Sequence, residues 1–109
     1  MDCDNGRSVL VVDDEPAVCE LIRTVLAERE LSVTAVTDSP AARQLIEQRH
    51  FDAIVCDVRM PELTGLELLA ICRRRAPQTP VILISGSASI QDAKRAIREG
   101  AYDYLEKPF

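Results

Sequence analysis

The sequence predicts an alternating α/β fold built on a five-stranded parallel sheet. Three observations predict it. Five short apolar runs alternate with four stretches of helical periodicity. The connections between them are short, as in right-handed β-α-β crossovers. The two strongest runs, Ser8–Val12 and Pro80–Ile84, are almost wholly apolar and rich in β-branched residues, which suits strands buried on both faces.

The elements follow in order. Ser8-Val-Leu-Val-Val12 is the first strand. Leu31–Thr37 is more polar and suits an edge. Phe51–Cys56 is the third strand and Pro80–Ile84 the fourth, while Tyr102–Leu105 alternates like a second edge. Pro16 stands at a first helical position, with Val18, Leu21, Ile22, Val25 and Leu26 at helical spacing behind it. Ser39 is placed as an N-cap before Pro40, and Ala42, Leu45 and Ile46 follow. Gly65–Arg75 presents Leu68, Leu69 and Cys72 on one face, and its Arg73-Arg74-Arg75 ending complements the helix dipole as a solvated basic end. Ser89-Ile-Gln-Asp92 approximates a capping box, and Gly100 is a stop. The fourth helix has few apolar anchors, namely Ile90, Ala93 and Ile97. It is expected to dock weakly, where a conformational switch can reside.

Composition bounds the function. The 109 residues fit one domain, placed at 8–109, with residues 1–7 a loose polar lead-in. A content of 47% hydrophobic and 28% charged residues is that of a globular chain. Thirteen Lys+Arg against 18 Asp+Glu give a net charge of -5, which argues against direct nucleic-acid binding. No apolar run approaches the roughly 18–20 residues of a membrane span, and Met1–Gly6 has no signal-peptide character. Cys3, Cys19, Cys56 and Cys72 form no C-x-x-C pair, and His50 is the one histidine. A zinc knot is therefore not expected; reduced buried thiols in a cytoplasmic protein are.

In open parallel sheets the chemistry collects beyond the carboxyl ends of the strands. Asp13, Asp14 and Glu15 follow the first strand, Asp57 the third, Ser85 the fourth and Lys107 the fifth. Each alone is explained by a cap, a turn or a surface charge. Together, Asp13, Asp14 and Asp57 gather three carboxylates beside a hydroxyl and an ammonium. Such acids raise one another's pKa unless a positive charge neutralises them. Oxygen-only ligands in a half-open site favour Mg²⁺, which shares its coordination with phosphate. Asp57 is then a candidate nucleophile forming an aspartyl-phosphate, helped by charge stabilisation from Mg²⁺ and Lys107.

With these residues in place the chain resembles the receiver domain of bacterial two-component response regulators. The matching pieces are Val11-Val-Asp-Asp-Glu-Pro16, Asp57-Val-Arg-Met-Pro61 with Gly65, Ile84-Ser-Gly86, and Gly100–Phe109 with its Lys107-Pro108. The resemblance covers essentially the whole chain. The C-terminal wording is most similar to receivers of nitrogen-regulation-type transcription factors. It implies a flavodoxin-like, doubly wound sheet of order 2-1-3-4-5.

The resemblance further implies roles. Asp57 takes a phosphoryl group from the phosphohistidine of a sensor histidine kinase or phosphotransfer protein. Asp13, Asp14, Asp57 and the main-chain carbonyl of Arg59 hold Mg²⁺. Lys107 and Ser85 contact the phosphoryl group, and the Lys107–Pro108 bond is cis. Ser85 and Tyr104 form the switch, carried through the loop after strand 4, the fourth helix and strand 5. Arg59 and Ser87, each two residues past a site residue, are expected to tune the phosphoryl lifetime. Partners are the kinase and a C-terminal output domain, with homodimerisation allowed and neither membrane nor nucleic acid contacted. The family's fifth helix, which packs beside the first, is not in the sequence. One helix cannot cover a whole sheet face, so either the natural chain continues or a partner or second copy covers the gap, and continuation is the favoured expectation.

Two alternatives are weighed. A haloacid-dehalogenase-type phosphatase would also combine Mg²⁺, Asp, Ser/Thr and Lys, but needs Asp-x-Asp after its first strand, where this chain has Asp13-Asp14. A receiver-like module that is never phosphorylated would not need Ser85, Lys107 and the full acid set. The first reading makes the chain a signalling phosphoacceptor that catalyses only its own phosphorylation and dephosphorylation.

Overall fold

In the computed structural model, strands β1 (Ser8–Val12), β2 (Ser32–Val36), β3 (Ala53–Asp57), β4 (Val81–Ser85) and β5 (Asp103–Glu106) form one parallel sheet. Helices α1 (Pro16–Ala27), α2 (Ser39–Gln48), α3 (Gly65–Arg75) and α4 (Ile90–Arg98) alternate with them. The structure describes residues 7–60, 62–86 and 90–107. Residues 1–6 of the expected loose start (Cys3 among them), Ser87, Ser89 and the Lys107–Pro108 peptide lie outside the described residues, as does the side chain of Ile90, whereas Arg7 is tied to β2 by its carbonyl accepting the Ser32 N–H at 2.8 Å.

The strand order is β2-β1-β3-β4-β5. The winding reverses between β1 and β3, so the carboxyl ends of those two strands flank the crevice where such sheets bind ligands. Leu10, Val11, Val12 and Leu83 are fully buried, while edge strand β2 is half-buried and edge strand β5 mostly exposed, as their more polar sequences require.

The larger core joins Leu10, Val12, Ile54 and Leu83 of the sheet to Ala42, Ile46, Leu68, Leu69, Cys72 and Ala96 of α2, α3 and α4. Each large side chain buried there contributes about 1.5–3 kcal/mol. The smaller core joins Val9, Val11 and Ile84 to Cys19 and Ile22 of α1. Helix α1 thus covers its face with little company. Leu21 and Val25, expected to belong to its buried stripe, are half-exposed at 50% and 51%, and they line an open apolar groove with Ile82 and Leu105.

Two local expectations need correction. The N-cap of α2 is Asp38, whose carboxylate accepts the Ala41 N–H at 3.5 Å. Ser39 is buried instead, because its Oγ accepts the Leu63 N–H at 3.1 Å and ties α2 to the loop after β3. A complete capping box is found at α3, where Thr64 Oγ1 accepts the Glu67 N–H and Glu67 accepts the Thr64 N–H. The anchor of α4 is Ala96, fully buried, while Ile97 stands 49% exposed. A step of about 100° along a helix turns Ile97 away from the face that Ala96 seats on the sheet. Gly100 ends α4 as expected. Its φ of 109°, the Gly100 N–H bonded to Ile97 O and the Ala101 N–H bonded to Ala96 O form a Schellman stop.

Cys19, Cys56 and Cys72 are free, buried thiols. Burial raises all three pKa values, that of Cys72 to about 11, so they behave as inert apolar side chains.

Candidate functional site

The site is built from strand ends. Asp13 directly follows β1, and its N–H donates to Val36 O of the neighbouring strand at 3.2 Å. That bond prolongs the ladder by one residue and carries the Asp13 side chain into the interior, where it is fully buried. Its Oδ1 accepts the Glu15 N–H at 2.9 Å, turning the chain into α1. Asp14, between them, is exposed.

Asp57 is the last residue of the central strand β3 and is 5% exposed. Its Oδ1 accepts the Arg59 N–H at 3.3 Å. Gly65 packs against its backbone so closely that a Cβ there would stand 2.4 Å from the Asp57 carbonyl oxygen. Ser85 ends β4 and is buried, and its carbonyl accepts the Lys107 N–H at 2.7 Å. That bond sets the ammonium of Lys107 over the crevice. Nζ lies 2.8 Å from Asp13 Oδ2, 3.1 Å from Glu15 Oε1 and 3.6 Å from Asp57 Oδ2.

Asp13, Asp14 and Asp57 each offer an oxygen within 4.8 Å of the others. Burial first, then the Asp13 charge, pushes the Asp57 carboxyl up to about 6, while Lys107 and the Arg59 N–H pull the other way. Burial works against the Lys107 ammonium, but Asp13 and Glu15 outweigh it and raise its pKa. Asp13 Oδ2 is buried, with the Lys107 ammonium 2.8 Å away as its counter-charge. One ammonium thus faces more negative charge than it neutralises. The oxygen-only donor set fits a hard divalent cation.

Every expected site residue among those described converges on this crevice except two. Arg59 joins it through its N–H, but its side chain is exposed and lines a groove with Met60, Leu66 and Arg95. Tyr104 lies on edge strand β5, in register with Leu83 of β4. Its ring packs on the larger core, and its hydroxyl is buried without a hydrogen bond among the described residues. Glu15 is the contact that strand-end reasoning did not assign. It follows Asp13-Asp14 directly, but no local pattern ties its side chain to Lys107, 92 residues away.

Residues 9–109 match the model of the response regulator receiver domain. The chain belongs to that family. This receiver is 36% identical over 102 residues to the response regulator protein PilR of Pseudomonas aeruginosa, covering 94% of this chain and 23% of PilR. It is 40% identical over 106 residues to the nitrogen assimilation regulatory protein NtrX of Azorhizobium caulinodans, covering 95% of this chain and 23% of NtrX. The chain therefore spans about a quarter of the length of these relatives, and the nitrogen-regulation wording of its motifs is borne out. Among solved structures, the beryllofluoride-activated NtrC4 receiver domain dimer superposes with a TM-score of 0.89 at 35% identity, over 94% of this chain and 84% of that one. A Burkholderia pseudomallei response regulator protein with a phosphorylated aspartic acid, calcium ion and citrate gives 0.88 at 28% identity, over 94% and 61%. Membership also removes the phosphatase alternative: the chain is a signalling domain of two-component systems.

Proposed function

We propose that Asp57 is the phosphoacceptor of this receiver, taking its phosphoryl group from the phosphohistidine of a sensor kinase or phosphotransfer protein. One observation carries the reading: a buried carboxylate at the end of the central strand faces a fixed ammonium across 3.6 Å. In the transfer an Asp57 Oδ forms a bond to phosphorus as the bond to the donor's imidazole nitrogen breaks. Asp13, Asp14, Asp57 and the Arg59 carbonyl would hold Mg²⁺, which supplies charge neutralisation for the phosphoryl oxygens. Lys107 donates to one phosphoryl oxygen and the Ser85 hydroxyl to another. The Burkholderia structure supports the pairing of a phosphorylated aspartate with a divalent cation in this fold.

Phosphorylation adds roughly 1.5–2 negative charges and three acceptor oxygens. Ser85 and Lys107 move toward them, and Tyr104, β5 and lightly anchored α4 re-pack. A different face is then offered to a C-terminal output domain like those of the transcriptional relatives. Homodimerisation, as in the NtrC4 receiver, belongs to the same proposal. A cytoplasmic location accords with the reduced thiols; no described helix is long and apolar enough to cross a membrane. Arg59 slows hydrolysis by flanking the phosphoryl group, so Arg59→Ala shortens its lifetime; Ser87 is proposed to share that role.

The test is incubation with acetyl phosphate and Mg²⁺, read by intact mass. One labile phosphoryl group, absent without Mg²⁺ and absent in Asp57→Asn, is the expected result. No adduct on the wild-type chain would make it an inert interaction module.

A further inference from the structure

Lys107 is claimed by a third carboxylate that the phosphoacceptor reading leaves without a task. The Glu15 side chain is 62% exposed, whereas that of Lys107 is 14% exposed and Asp13 is fully buried. Its backbone is pinned: the N–H donates to Asp13 Oδ1, and the carbonyl accepts the Val18 and Cys19 N–H groups at 3.0 and 3.3 Å. The side chain reaches from that fixed base across the mouth of the crevice and accepts from Nζ at 3.1 Å.

An ammonium has three N–H donors. Here Nζ donates to Glu15 at 3.1 Å and lies 2.8 Å from Asp13 and 3.6 Å from Asp57, so Asp57 is the most distant of its three carboxylates. A phosphoryl oxygen on Asp57 needs one of these donors. Asp13 is fully buried, so its charge needs Lys107 or a bound cation beside it. Glu15 can release the ammonium, because water receives its carboxylate at little cost.

We infer that Glu15 is a positioning residue that competes with the phosphoryl group for Lys107, holding the ammonium toward the mouth until Asp57 is phosphorylated. The inference rests on the phosphoacceptor reading. Glu15 thereby lowers the ratio of phosphorylation to hydrolysis rates and sets how readily the receiver fills at a given donor supply. It touches neither donor nor phosphoryl group and acts only through Lys107.

Two substitutions separate this from simple repulsion of an anionic donor. Glu15→Gln removes charge and contact strength together. Glu15→Asp keeps the charge but is one methylene too short for the present contact. Glu20→Gln, on the exposed side of α1 beside Arg23, removes one charge without touching Lys107. Each variant is given acetyl phosphate and Mg²⁺, with phosphorylated fraction and decay after donor removal read by intact mass, and melting temperature measured alongside. Competition predicts that Glu15→Gln and Glu15→Asp both raise the rate ratio roughly two- to fivefold, the scale of an exposed ion pair, while Glu20→Gln matches wild type. An unchanged ratio in both Glu15 variants overturns the inference. So does a rise in Glu15→Gln alone, which assigns the effect to donor repulsion. Failure of the wild type itself to gain a phosphoryl group on Asp57 overturns the underlying reading instead.

Discussion

The Asp57 carboxylate and the Lys107 ammonium stand 3.6 Å apart, beyond a direct hydrogen bond, while the same ammonium lies 2.8 Å from Asp13. Lys107 is therefore first the counter-ion of a fully buried aspartate, and only second a neighbour of Asp57. In Lys107→Ala, Asp13 and Asp57 face each other in the interior without that cation. Removing one partner of a buried pair costs about 3–5 kcal/mol, and the partly open mouth brings the expected loss to roughly 2–3 kcal/mol. Mg²⁺ should restore part of it. Thermal melts with and without Mg²⁺ check this. An equal loss in both conditions would separate the acid cluster from any metal role.

The Asp57 carboxyl, raised by burial and by Asp13 from 3.8 to about 6, opposes folding when ionised. A carboxyl raised in the folded state contributes its stability below pH 3.8 and loses it as pH rises through about 6. Metal-free protein should therefore lose stability from this group between those values, and Asp57→Asn should abolish that part of the profile. One pKa unit corresponds to about 1.4 kcal/mol. With screening at the mouth, Asp57→Asn is expected to gain roughly 1–2 kcal/mol at pH 7 without metal. Chemical denaturation at pH 4.5 and 7 measures it, and a variant no more stable than wild type at pH 7 would contradict it.

Glu30 follows α1 with a φ of 62°, in the left-handed region where a Cβ is strained. The Leu31 N–H returns to Leu26 O and the Glu30 N–H to Ala27 O, so this is a Schellman stop made without glycine. Glu30 contacts nothing in the crevice. Glu30→Gly should stabilise by about 0.5–1 kcal/mol, seen as a higher melting temperature with phosphorylation rates unchanged. A lower melting temperature would mean that the Glu30 side chain contributes more than its backbone costs.

Much of this was legible in the sequence, for physical reasons that also mark the limits. Ser8–Val12 and Gly65–Arg75 have the predicted bounds, because a continuous apolar run and a clear helical face leave few alternatives. The site was legible because strand ends in a parallel sheet converge, so Asp13, Asp57, Ser85 and Lys107 need only be placed in register. Choices between neighbours were harder. Asp38 against Ser39, and Ala96 against Ile97, turn on which side chain another element claims. The Thr64–Glu67 capping box was present as a T-x-x-E pattern and was readable. The reach of Glu15 to Lys107, 92 residues away, was not, because nothing local encodes it.

Tyr104 places its hydroxyl in the interior without a hydrogen bond among the described residues, while its ring packs on the larger core. Leaving a buried hydroxyl unsatisfied costs about 1–3 kcal/mol. Tyr104→Phe keeps the ring and removes that cost, so the unphosphorylated protein should gain up to about 1 kcal/mol. Urea denaturation checks it; a loss of stability would show that the hydroxyl is satisfied in solution.

Gly65 joins the fold to the chemistry most directly. It opens α3, and its N–H donates to Val58 O at 2.9 Å. A Cβ at this position would meet the Asp57 carbonyl oxygen at 2.4 Å and Val58 Cα at 2.8 Å. Both are backbone atoms and cannot swing aside, so Gly65→Ala must push α3 away from the end of β3. Overpacking of this kind costs typically 1–3 kcal/mol. Here the displaced backbone is that of Asp57 itself, so phosphorylation by acetyl phosphate should fall more than the stability loss alone explains, even at temperatures where the variant is fully folded. Gly86 provides the contrast, since a Cβ there would meet nothing within 4 Å. Gly86→Ala should leave the melting temperature unchanged. Equal melting temperatures for the two alanine variants would refute the close-approach argument, and normal phosphorylation of folded Gly65→Ala would uncouple the α3 start from the acceptor carboxylate.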